Sequence, residues 1–248
     1  MKLIVLKGNP QTGKTTILKM VYEMLKKINV EETHCFKYYD SDHDYNDFRD
    51  VLVIDKEQIL SVEDVMSDGN NDKPVNINCV EHLKHFFPTY EVINSSNEEL
   101  EKSIQILEKC NKDKNEFQQS PKYEDVLPIE CLNKLQNISQ KYLKIGFVLE
   151  GDYGFLHRKS QWAKHPRNLY RQLKQMMVCD IIICACSNTP YGWRYDPYYC
   201  LFCFIEYCVL KSIPVQLVVL ETENKDDPEK IKNANTVLLK KIIYRIKN

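Results

Sequence analysis

The first 28 residues constrain the fold more than any other stretch. Leu3, Ile4, Val5 and Leu6 form an unbroken apolar run with no polar face, the pattern of a strand buried on both sides. From Lys14 onward the period changes: Ile17, Leu18, Val21, Met24, Leu25 and Ile28 recur at helical spacing and predict a helix over 14–28. A strand that turns through a short glycine loop straight into an amphipathic helix opens an α/β layer structure.

The same alternation returns further along. Extended pieces are predicted at 34–39 ("HCFKYY"), 50–55 ("DVLVID"), 144–152 ("KIGFVLEGD"), 180–187 ("DIIICACS") and 214–220 ("PVQLVVL"). Helical patterns cover "PRNLYRQLKQMMV", an apolar segment at about 198–211 and a basic C-terminal segment. Strands alternating with helices imply a mainly parallel sheet covered on both faces. From about 61 to 144 the character is different. Asn, Asp, Lys, Glu and Ser dominate, "SDGNNDKP" has turn chemistry, and only "NEELEKSIQILEKC" and "PIECLNKLQNISQKYL" keep helical periodicity. This stretch is read as a polar, partly helical insertion or lid within a single domain of 1–248.

The loop between the first strand and helix has its own chemistry. Gly8-Asn9-Pro10-Gln11-Thr12-Gly13-Lys14-Thr15 fits G-x-x-x-x-G-K-[ST] without a mismatch, and Thr16 follows. Backbone N–H groups can wrap phosphate oxygens only where no Cβ blocks the approach, hence the glycines. The positive end of the following helix faces the same anion.

These residues resemble the loop of the P-loop NTPase superfamily, by motif over the first 28 residues and by strand and helix order beyond them. The later runs "GDY" and "CDIIICA" also resemble those of small bacterial ATP-binding P-loop proteins. The resemblance implies a P-loop NTPase-like three-layer α/β sandwich that binds a nucleoside triphosphate, expected to be ATP, with Mg²⁺. It implies that Gly8 to Thr16 contact the nucleotide, that Lys14 reaches the β and γ phosphates, and that the Thr15 hydroxyl ligates Mg²⁺. Hydrolysis is the expected reaction. A small-molecule or nucleotide kinase using the insertion as a substrate lid, and a switch using it as a partner-binding arm, are the alternatives.

An acid at the end of a neighbouring strand is needed for the metal and the attacking water. Glu150 and Asp152 in "EGDYG" are the preferred pair, Asp152 or Glu150 for the metal and the other to activate water or a substrate hydroxyl, while Asp55 at the end of "VLVID" is read as a turn or helix cap. Basic residues behind that strand, Arg158, Lys159, Lys164, Arg167 and Arg171, offer an arginine for a developing phosphoryl charge. Ser187, Asn188 and Thr189 end the next core strand and are candidates to sense the γ-phosphate. The absence of an [NT]-K-x-D run in "SNTPYGW" argues against a guanine-specific site.

Composition limits the other classes. Lys and Arg total 34 against 35 Asp and Glu, so no global field draws a nucleic acid. "KLIVL" is too short for a signal-peptide core, and "YYCLFCFIEYCVL", interrupted by Glu206, is too short to span a membrane. A cytoplasmic protein with reduced thiols is expected, and its ten cysteines are read as core packing despite the CxxC at Cys200 and Cys203. The region around Glu206 loosely resembles nucleoside deoxyribosyltransferase and TIR domains, which implies a remote alternative, N-glycosidic cleavage.

Overall fold

The computed structural model describes residues 1–9, 12–30, 48–62, 75–88, 129–149, 173–187, 197–220 and 228–248. The elements in chain order are β1 (Lys2–Gly8), α1 (Lys14–Lys26), β2 (Phe48–Asp55), α2 (Lys56–Ser61), β3 (Val75–Ile77), α3 (Val80–Phe86), α4 (Ile129–Gln136), β4 (Tyr142–Leu149), β5 (Ile181–Ser187), α5 (Pro197–Leu210), β6 (Val215–Leu220) and α6 (Pro228–Lys247). The expected segment at 34–39 and the helix beginning "NEELEK" lie outside the described residues.

The strands form one six-stranded sheet in the order β2-β4-β5-β1-β6-β3. Its four central strands are parallel, and β2 and β3 close the two edges antiparallel to β4 and β6. The protein is therefore α/β with a mostly parallel sheet. The central strands are apolar on both faces because helices cover both, as a parallel sheet requires.

Strand alternation divides the core into two halves. Leu3, Val5, Val148, Ile182, Cys184 and Val215 face one side with Leu83, Phe87, Leu201, Phe202 and Ile205, so α3 and α5 cover this face. Ile4, Leu6, Phe147, Ile183 and Val218 face the other with Ile17, Leu18, Val21, Ile242 and Ile246, which places α1 and α6 there. Within α1 the buried Ile17, Leu18, Val21, Tyr22 and Leu25 follow the 3.6-residue period, while Thr16, Lys19 and Glu23 remain in water. Burying each such aliphatic side chain contributes roughly 1.5–3 kcal/mol.

The C-terminal helix is tied to the sheet by two cations, one from each. The Arg245 guanidinium donates to the Leu217 carbonyl, and Lys2 Nζ donates to the Arg245 carbonyl. At the β2 edge, Val30 N donates to the Val53 carbonyl and Val53 N donates to Asn29 Oδ1 at 2.7 Å, so residues 29–30 occupy part of what would otherwise be an open edge. Among the described residues, no helix is long and apolar enough to cross a membrane.

Among the four parallel strands, the described connections change face between β5 and β1. The helix leaving β5 and the described end of the β4–β5 connection, Leu173 and Met176, pack on the α3/α5 face, whereas the helices leaving β1 and β6 pack on the α1/α6 face. Neighbouring strands β5 and β1 thus send their chains to opposite sides. Ligands of open α/β sheets bind at such a switch point, outside the carboxyl ends of the strands.

Candidate functional site

Gly8 ends β1 at this switch point, and its in-register neighbours are Ser187 of β5 and Leu220 of β6. A Cβ on Gly8 would stand 2.7 Å from Thr12 Oγ1 and 2.9 Å from Leu220 Cβ. Glycine is thus enforced by the loop folding back over the strand end. Thr12 holds that fold: its backbone N–H donates to the Asn9 carbonyl at 3.3 Å and its hydroxyl donates to the same oxygen at 2.8 Å.

Gly13 stands at the N-cap of α1 with φ 82°, the left-handed region that costs a side-chain-bearing residue roughly 1–2 kcal/mol. Its carbonyl accepts the first helical bond, from Ile17 N at 3.0 Å. The N–H groups of the first turn then point out of the helix end toward the loop.

Lys14 opens α1 and breaks two ordinary rules. A cation at a helix N-terminus opposes the macrodipole, and a lysine is rarely buried. Yet only 6% of Lys14 is exposed, and the first turn of α1 holds no acidic residue to offset it. The ammonium turns back over the loop and donates to the carbonyls of Gly8 at 3.1 Å and Asn9 at 2.6 Å. Positive charge, a helix end and glycine-lined backbone therefore converge on one spot. Such local violations of sequence rules are expected where a chain is built to hold something.

Of the remaining candidate residues, Asn9 and Thr16 are exposed and Thr15 is half-buried in the first turn of α1. Pro10 and Gln11 lie outside the described residues, as do Asn188, Thr189 and the basic run from Arg158 to Arg171. Glu150 and Asp152 also lie outside them. Their strand is nevertheless fixed: β4 runs parallel to β5 with Val148 opposite Cys184, and it ends at Leu149, one residue before Glu150. The backbone of Ser187 is level with Gly8.

Register separates the other acid from this site. Asp55 lies opposite Tyr142 at the start of β4, nine residue steps from the level of Gly8, roughly 30 Å along the strands. There it caps α2, with Oδ1 accepting from Glu57 N at 2.9 Å and Oδ2 paired with Lys141 Nζ at 2.9 Å. The Lys141 partner, and then the Glu57 N–H, hold its carboxyl below the usual range. A carboxyl with a lowered folded pKa adds stability above its unfolded value, about 3.9, and loses that contribution as pH falls through the folded one. Asp55→Asn keeps a capping oxygen but removes the charge. Its urea midpoint is expected to fall below that of the parent at pH 7, with the gap closing below about pH 4.

Five of the described cysteines and Glu206 belong to the interior, while Cys79 and Cys131 are half-buried. Cys179, Cys184, Cys186, Cys203 and Cys208 are buried thiols, not joined in disulfides, on the α3/α5 face. Burial pushes Cys184 well up and Cys208 up to about 12, as expected of thiols packed as small hydrophobes. Glu206 has no exposed surface, the reverse of what a nucleophile for an external substrate needs.

Comparison of the chain with protein-family profiles, curated proteins and solved structures finds no match. The functional reading therefore rests on this chain's own residues. One feature of the site escaped the motif, the Leu220 wall beside Gly8. Its only sequence signal was that "PVQLVVL" is a core strand.

Proposed function

We propose that the protein binds a nucleoside triphosphate, ATP, with Mg²⁺ in the Gly8–Thr16 loop and hydrolyses it, as a P-loop NTPase. The observation that carries this reading is the buried Lys14 ammonium at the N-terminus of α1, held over a loop whose Gly8 admits no Cβ, at the sheet's switch point. Backbone N–H groups and a buried cation suit a polyanion, and of the residues read as metal ligands the described one, Thr15, stands in the first turn of α1 beside them.

In this reading Lys14 binds β and γ phosphate oxygens, exchanging its loop carbonyls for charged acceptors that bind an ammonium more strongly. The Thr15 hydroxyl and Asp152 would hold Mg²⁺, which when bound neutralises charge on the β and γ oxygens. Glu150 would accept a proton from the attacking water. The loop backbone fixes the phosphates without reorganising during the reaction.

The test is product analysis. Mg²⁺-dependent release of inorganic phosphate from ATP alone is expected. Turnover that requires an added acceptor would replace hydrolysis by phosphotransfer, and tight binding with negligible turnover would replace it by a switch.

A further inference from the structure

Lys7 stands one residue before the loop, on the opposite side of β1 from α1. It shares a face with Leu3 and Val5, which are buried against the α3/α5 side. Its strand neighbours are Cys186 and Val219, and its ammonium lies 5.3 Å from the centre of the Phe87 ring, just past the end of α3. Phe87 is fully buried and packs edge-on against Phe202 at 5.7 Å, so the ring is a fixed platform. Val219 beside it is 39% exposed, so this face reaches solvent on the β6 side of Lys7, while Cys186 on the β5 side is buried.

Half-burial lowers the Lys7 pKa, with Cys186 acting weakly in the other direction. Among the described residues no carboxylate or hydrogen-bond acceptor meets this ammonium. An aromatic face attracts a cation but carries no neutralising charge. Two lysines thus flank the end of β1, Lys14 on the α1 side and Lys7 on the α3/α5 side. A triphosphate seated on the α1 N-terminus engages the first and leaves the second facing the other half of the crevice.

We propose that Lys7, on its Phe87 platform, binds the anionic group of a second small ligand, a phosphate- or carboxylate-bearing molecule that enters the crevice beside the nucleotide. This inference rests on the loop holding a triphosphate. Its chemistry is recognition of one negative charge at an open apolar wall, Val219, by a cation that a ring keeps from collapsing into solvent.

The test uses the full chain saturated with Mg²⁺ and a non-hydrolysable ATP analogue, titrated calorimetrically with inorganic phosphate and, separately, with malonate. Saturable binding of one of the two is expected, with the better of them identifying the anion class. Lys7→Gln is expected to weaken that binding about tenfold while binding the analogue within about threefold of the parent, and Lys7→Arg to retain both. Failure of the parent to bind the analogue would remove the nucleotide reading itself. Normal analogue binding with no uptake of either anion, or uptake unchanged in Lys7→Gln, would overturn the role of Lys7 alone.

Discussion

Lys14→Ala is expected to weaken binding of ATP with Mg²⁺ about 100-fold, a loss of about 2.7 kcal/mol. Hydrogen bonds to charged groups contribute about 1.5–3 kcal/mol each, and Lys14 is 94% buried beside the loop, where solvent screens it little. The alanine variant should fold. Alanine is the strongest helix former, and removing a cation from the positive end of α1 relieves an unfavourable dipole contact. Calorimetric titration of parent and variant, with circular dichroism to confirm the helix content, checks both halves of the expectation. Unchanged nucleotide affinity in a folded variant would show that the ammonium serves only the Gly8 and Asn9 carbonyls.

The largest effect on stability is expected from Phe147→Ala, a loss of about 3–5 kcal/mol. Phe147 is fully buried on β4, and its ring meets that of Tyr22 edge-on at 5.4 Å and 82°. Tyr22 belongs to α1, and its hydroxyl donates to Asp50 Oδ2 of β2 at 2.6 Å. Burial, followed by the Asp50 carboxylate, raises the Tyr22 pKa, so the phenol stays a donor at neutral pH. Phe147 is thus the floor on which α1 rests. For a chain of this size the melting temperature should fall by roughly 6–20 °C. Phe147→Leu, which keeps most of the volume, should cost much less. Saturating nucleotide should recover part of the loss, about 2.7 kcal/mol at 100 times its Kd, because only the folded state binds it.

These two residues show where sequence carried the account and where it did not. β1 and α1 were legible because an apolar run meets a 3.6-residue pattern across glycines, and β5 and β6 because buried parallel strands read as continuous runs. The strand at Phe48–Asp55 was legible too, but its direction was not. An apolar run looks the same in either orientation, and the antiparallel pairing with β4 is what carries Asp55 to the far end of the sheet. β3 was missed outright: Val75, Asn76 and Ile77 are too few to show a period and follow the polar turn run "SDGNNDKP".

Within the site, the glycines and Lys14 could be named from the motif, since their chemistry follows from residue type and spacing. Lys7 could not. Its place depends on alternation along β1 and on Phe87, 80 residues away, so only the assembled sheet brings the ammonium to the ring. Ser187 was named as the end of a core strand, but its level with Gly8 is a matter of register.

Calorimetric titration of the full-length parent with ATP and Mg²⁺ tests the central claim most directly. The account predicts one saturable site per chain, with affinity that collapses in Lys14→Ala and is displaced by the non-hydrolysable analogue. A folded parent protein that takes up no nucleoside triphosphate at millimolar concentration would contradict it.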